Sequence, residues 1–310
     1  MAFVPILVLA ASLIILVLSS ETLVSSAIRI AHITGFNEFA IGIVFIAIGT
    51  SLPEFAVSML SAFANTQTLS IGTLFGSSIA DMTIVFGIIC FAGFVLSKKD
   101  VEVIETLLLS SMIVVFALIL GRIDVMFGLF SILLFGLFLH VIVKRHYKID
   151  NGKKPWIVTP ELVKHAAIMI ISIAAIIMSA HFTVSSAMDI ADIFGLSSMI
   201  IGALVIGVGS VLPELTVSII AVRKGNIPLA IGNVIGSVVV NVVLILGIVS
   251  LFNPIVVDSI TAMTMYSFLA ISGVLIGFAL HKRFNMLEGI CLMSAYAGFV
   301  VVLLSYGVFL

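Results

Sequence analysis

Two glutamates, Glu54 and Glu214, each follow a proline directly, Pro53 and Pro213, deep inside long apolar runs. They stand 160 positions apart (214 − 54 = 160), and their surroundings repeat with them. Gly49-Thr50-Ser51-Leu52-Pro53-Glu54 returns as Gly209-Ser210-Val211-Leu212-Pro213-Glu214. Ile71-Gly72 and Gly76-Ser77 return as Ile231-Gly232 and Gly236-Ser237, and Asp81 returns as Asn241. Over the first fifty pairs from Ile41 and Ile201, roughly a third are identical, far above chance even for an apolar alphabet. An ionised carboxylate at bilayer depth costs roughly 2.5–3.5 kcal/mol. No Lys or Arg lies in the central part of any apolar run, so a salt bridge cannot offset this. A hard cation with oxygen ligands can. Paired carboxylates with exposed carbonyls suit Ca²⁺, which takes about six to eight oxygens in adaptable geometry; Mg²⁺ demands a stricter octahedron. The chemistry expected is cation binding and movement.

Proline removes a backbone donor and clashes with the preceding turn, so a helix should break just before Pro53 and again before Pro213. Such a break is tolerated at membrane depth only where it meets protein, water or an ion. Ser77 and Asp81 are four apart, hence on one helical face, as are Ser237 and Asn241. By themselves the glycines and serines here read as close helix packing. Asp81, a third acid at that depth and the one with a neutral counterpart, draws the pattern into the ion site as a candidate proton carrier.

The elements that must position these residues are membrane spans. The chain is 62% hydrophobic and 9% charged, with a mean hydropathy of +1.39, which excludes a soluble domain of 310 residues. The reading is an all-α polytopic protein of ten spans, near 4–30, 38–63, 69–95, 103–121, 123–144, 163–181, 197–222, 228–251, 259–280 and 286–309. Spans two and seven are broken. Residues 1–145 form a first repeat with its motif at 42–82, 146–162 a linker, and 163–310 a second repeat with its motif at 202–242. Of the 14 Lys and Arg, only Arg122 falls on the side opposite the rest, which places that richer side in the cytoplasm and both termini outside. An odd span count per half makes the repeats inverted, the architecture of secondary transporters. Cell-membrane localisation follows. Net charge is −1 with no long basic run, so no nucleic-acid partner is expected, nor any obligate protein partner. Cys90 and Cys291 read as buried thiols without a disulfide.

The double pattern G-[TS]-x-L-P-E, followed by G-x-x-x-G-S and an Asp or Asn four residues on, resembles the Ca²⁺/cation antiporter superfamily, above all its prokaryotic Na⁺/Ca²⁺ exchangers. The resemblance implies exchange of Ca²⁺ for Na⁺ by alternating access, no enzyme activity, no catalytic residue and no cofactor. It implies Ca²⁺ on Glu54 and Glu214 with carbonyls at Thr50 and Ser210. One Na⁺ site would use Ser51, Ser210 and Ser237 with Glu54 and the Gly207 carbonyl; the other, Thr50 and Ser77 with Glu214 and the Ala47 carbonyl. The central position would involve Asp81 and Asn241. Val211 stands where the second motif often has Ser, so one Na⁺ site lacks a hydroxyl. Spans one and six, without central acids, would slide past the rest.

Coupling to H⁺ or K⁺ in place of Na⁺ is the alternative, and a cation channel the remote one; channels usually ring a pore with identical chains. An intramembrane aspartyl protease would need a second deep aspartate beside Asp81. The histidines lack zinc-site spacing. Asp100, behind Lys98 and Lys99, reads as a helix N-terminal signal opening the fourth span.

Overall fold

An apolar chain can satisfy its backbone in a bilayer only internally, and the described residues are almost wholly helical. The structure is a computed structural model that describes residues 3–34, 49–146 and 159–308. In chain order the helices are α1 (Phe3–Thr34), α2 (Leu52–Phe63), α3 (Gln67–Cys90), α4 (Lys98–Glu105), α5 (Leu107–Leu120) and α6 (Val125–His146). There follow α7 (Pro160–Phe194), α8 (residues 198–210), α9 (Leu212–Arg223), α10 (Ile227–Phe252), α11 (Ser259–Leu280) and α12 (Met286–Val308). Eight segments among the described residues are long and apolar enough to cross a membrane, and Leu52–Phe63 and Val125–His140 are shorter apolar helices. The linker falls largely outside the described residues, as does the first part of the second span.

Two packing units are distinguishable. In α3 89% of the apolar window is buried against protein, and in α10 78%; in α1 the share is 28%. So α3 and α10 are central, and the main core gathers around them from α5, α6, α11 and α12. The long α1 and α7, of 32 and 35 residues, lie along each other. A separate apolar cluster seats them: Leu9 and Leu16 with Ile176 and Val184, resting on Val57, Leu69, Ile201 and Ile206. Thr183 donates to Ser12 across this pair at 2.9 Å, and Arg29 meets Glu161 at 2.7 Å near one end. Thr159 caps α7, accepting from the Leu162 amide, ahead of Pro160 in the first turn.

Several local features recur at the repeat spacing. After α2, Asn65 takes a left-handed conformation (φ 57°); after α9, Gly225 does so (φ 73°), at 65 + 160 = 225. Both turns close the same way, Thr66 N–H to the Ser61 carbonyl at 2.8 Å and Asn226 N–H to the Ala221 carbonyl at 2.9 Å. Two-residue strands β1 (Phe94–Val95) and β4 (Arg283–Phe284) pair antiparallel, as do β2 (Arg122–Ile123) and β3 (Ile255–Val256). Phe94 faces Phe284 and Ile255 faces Ile123; since 94 + 161 = 255 and 123 + 161 = 284, a shift of 161 turns one ladder into the other.

Three expectations need correction. The sixth span, expected to end near 181, continues as the single helix α7 to Phe194. The fourth span starts earlier than 103 and in two pieces: Ser97 and Asp100 form a reciprocal capping box that opens α4, and α5 begins only after Thr106. Cys291 is exposed on α12, while Cys90 is buried; an apolar segment facing lipid exposes its thiol as readily as its leucines.

Candidate cation site

The chain breaks where proline dictates. Ser51 (φ −83°, ψ 9°) and Val211 (φ −82°, ψ 6°) leave helical geometry, and α2 and α9 start afresh at Leu52 and Leu212 with Pro53 and Pro213 in their first turns. A glutamate follows each proline, so Glu54 and Glu214 occupy helix N-terminal turns, and both are fully buried. Thr50, Ser51, Ser210, Ser77, Ser237, Asp81 and Asn241 are buried with them.

Glycines bring the carrying helices together. A Cβ on Gly72 would lie 3.0 Å from the Ala203 nitrogen and 3.2 Å from the Gly202 Cα; one on Gly207 would lie 2.8 Å from the Ser77 nitrogen. The backbones of α3 and α8 therefore cross in direct contact, as small residues permit in membranes. A wider turn of π-helix follows at Gly202–Ile206. Equivalent π turns begin at Asp81 in α3 and at Val240 in α10, on or beside the two central side chains. Such turns mark functional positions in helices.

Hydrogen bonds tie the two halves. The Ser51 and Ser237 hydroxyls lie 3.1 Å apart, and Ser237 donates to Glu214 Oε1 at 3.2 Å. Asn241 donates to Ser77 Oγ at 3.2 Å. Ser210 donates to the Gly207 carbonyl at 3.3 Å, holding these two expected ligands together. Ser210 neighbours Glu54, and Thr50 neighbours Glu214, crosswise between the copies. Among the described residues, however, no hydrogen bond of ordinary geometry closes on the Glu54 carboxylate. Both its carboxylate oxygens, both of Asp81 and Oε2 of Glu214 have no partner among the described residues. The three acids are close enough for their charges to interact. They do not form a ready cage: no cluster of three His, Cys, Asp or Glu side chains suited to a metal closes among the described residues. Two carboxylates with hydroxyls and carbonyls would make a cation site without such a cluster. Ala47, expected to lend a carbonyl, lies outside the described residues.

Asn233 was not singled out from sequence as a site residue. It is buried, and its amide donates to the Glu214 backbone carbonyl and to Ser218 Oγ, each at 3.1 Å. Its counterpart Thr73 is polar too, which was the available signal (233 − 160 = 73).

Comparison with known proteins agrees in kind. The family model for the sodium/calcium exchanger protein matches residues 4–144 and 164–305. The chain is 30% identical to the sodium/calcium exchanger MaX1 of Methanosarcina acetivorans, covering 96% of this chain and 97% of that one. It is 28% identical to the inner membrane protein YrbG of Escherichia coli, over 87% of each. Among solved structures it resembles the sodium-calcium exchanger NCX_Mj soaked with 2.5 mM Na⁺ and 1 mM Sr²⁺, with a TM-score of 0.68 at 27% identity, covering 97% of this chain and 99% of that one.

Proposed function

We propose, from the premise that this chain belongs to the sodium/calcium exchanger family and is a multi-pass membrane antiporter of Ca²⁺ and other cations, that Na⁺ is its coupling ion and that Glu54 and Glu214 hold the transported Ca²⁺. The observation that carries this reading is the set of buried carboxylate oxygens without partners among the described residues, both of Glu54, both of Asp81 and Oε2 of Glu214, between helix breaks that hydroxyls line. A buried charge without a partner is costly, so these groups call for a cation or a proton. Empty, the site opposes the passage of apolar helices; loaded with Ca²⁺ or with several Na⁺, it approaches neutrality. Competition for the same glutamates makes the exchange obligatory, because each ion shifts the conformational equilibrium only through its own binding.

In this reading the Na⁺ ligands are Ser51, Ser210, Ser237 and the Gly207 carbonyl on one side, and Thr50, Ser77 and the Ala47 carbonyl on the other. Ten spans form two inverted repeats, 1–145 and 163–310, joined by a cytoplasmic linker, with both termini outside the cell membrane. Two supports are the interchange of the β ladders and the paired left-handed turns at Asn65 and Gly225. The separate seating of α1 and α7 suits a pair that slides past the core. Asp81, buried and with no hydrogen-bond partner among the described residues, favours a second reading in which H⁺ is the counter-ion.

Radiolabelled Ca²⁺ uptake into proteoliposomes under imposed Na⁺, K⁺ or H⁺ gradients decides the coupling ion. Glu54→Gln and Glu214→Gln each abolish that flux if the site is correctly assigned; wild-type flux in either variant removes the assignment.

A further inference from the structure

Away from the acids, a cleft of about 240 Å³ opens between the second half of α3 and α9. Val85, Ile89, Leu215 and Val222 are among its walls, Phe91 and Ala92 stand at one edge, and Arg223 stands at another. Ser218 is the only hydroxyl among its lining residues. With almost wholly apolar walls, the cleft suits hydrocarbon and offers an ion few ligands. Its rim is cationic. Arg223 is exposed and pairs with no carboxylate among the described residues, and Lys224 follows it. Arg283 sits opposite Val95 in the ladder just beyond Phe91 and Ala92. The helices that follow the two strands of that ladder each engage an acid at their start: Asp100 accepts from the Ser97 amide, and Glu288 from the Asn285 amide.

The equivalent place in the other copy is lined differently. Phe252 stands where the first copy has Ala92 (252 − 160 = 92), and Phe63 where the second has Arg223 (63 + 160 = 223). Those two rings meet edge to face at 5.5 Å, and Asn253 beside them bonds the Ala62 carbonyl and Asn65.

We propose that the cleft between α3 and α9 is a lipid site, holding one acyl chain of an anionic phospholipid whose phosphate sits on Arg223. Apolar walls and a guanidinium that pairs with no carboxylate among the described residues match the two halves of such a ligand. The acyl chain would reach Ser218, whose hydroxyl accepts from Asn233, itself bonded to the Glu214 carbonyl. Lipid occupancy would thereby bear on the wall of the cation site.

Native mass spectrometry of the full chain, titrated with phosphatidylglycerol or phosphatidylcholine, tests this without relying on transport. A cation near a membrane surface is worth about 1 kcal/mol toward an anionic lipid, so phosphatidylglycerol should be retained about fivefold better. Arg223→Gln should remove that preference, and Ala92→Phe, which places in the cleft the ring that the other repeat carries at Phe252, should lower retention of both lipids. Equal retention of the two lipids by the unaltered protein overturns the proposal. So does a preference that survives Arg223→Gln, or a second copy of the chain bound where lipid was expected. Arg223→Gln changes only an exposed side chain, so its result stands even if Ala92→Phe fails to fold.

Discussion

Gly76→Ala is expected to force α3 away from α8 and to weaken folding and ion binding together. A Cβ at Gly76 would lie 2.8 Å from the Ala203 carbonyl carbon and closer still to its Cα and oxygen. Ordinary contact begins at 3.4 Å, so the backbones must part by at least 3.4 − 2.8 = 0.6 Å. The obstructing atoms are helix backbone, which cannot rotate aside as a side chain would. The cost should therefore fall near the upper end of the overpacking range, about 3 kcal/mol. Gly76 precedes Ser77, and Ala203 lies four residues before Gly207. Ca²⁺–oxygen distances span only about 2.3–2.6 Å, so a displacement of this size is enough to lose a ligand. Thermal unfolding in detergent, with and without Ca²⁺, reads both effects: a lower midpoint, and a smaller rise when the ion is added. Gly273→Ala is the control. It lies within α11, its Cβ would meet nothing within 4 Å, and helix propensity favours the change by up to about 1 kcal/mol. A Gly76→Ala protein that melts with the wild type, or a Gly273→Ala protein destabilised as much, refutes the argument.

Two further predictions concern the site. Val211 is buried opposite a copy in which Ser51 reaches Ser237, so Val211→Ser should restore a sodium ligand and steepen the Na⁺ dependence of Ca²⁺ uptake by about one ion; an unchanged Hill slope defeats this. Asn233→Ala leaves the Glu214 carbonyl without its side-chain donor and Ser218 without its partner. It should cost about 1–3 kcal/mol of stability and weaken Ca²⁺ affinity about tenfold in an isothermal titration, and wild-type affinity would show that Asn233 only packs.

Membrane class, the two helix breaks and the depth of the two motif glutamates were legible in the sequence because each rests on covalent or solvent physics that acts locally. Apolar runs must become helices in lipid, proline must interrupt them, and a carboxylate at that depth must have a purpose. The 160-residue repeat even indicated which polar residues belong together. Tertiary structure alone decided that α3 and α8 touch through backbone at Gly72 and Gly202, since a glycine in sequence does not name its neighbour. It alone decided that α3 and α10 widen into π turns at the central side chains, because such a turn depends on what packs beside it. The role of Asn233, the cleft beside Arg223 and the ring pair of Phe63 and Phe252 also arise only once distant segments are placed side by side. A pattern along one helix specifies a face; which face it meets is settled by the packing of the whole chain.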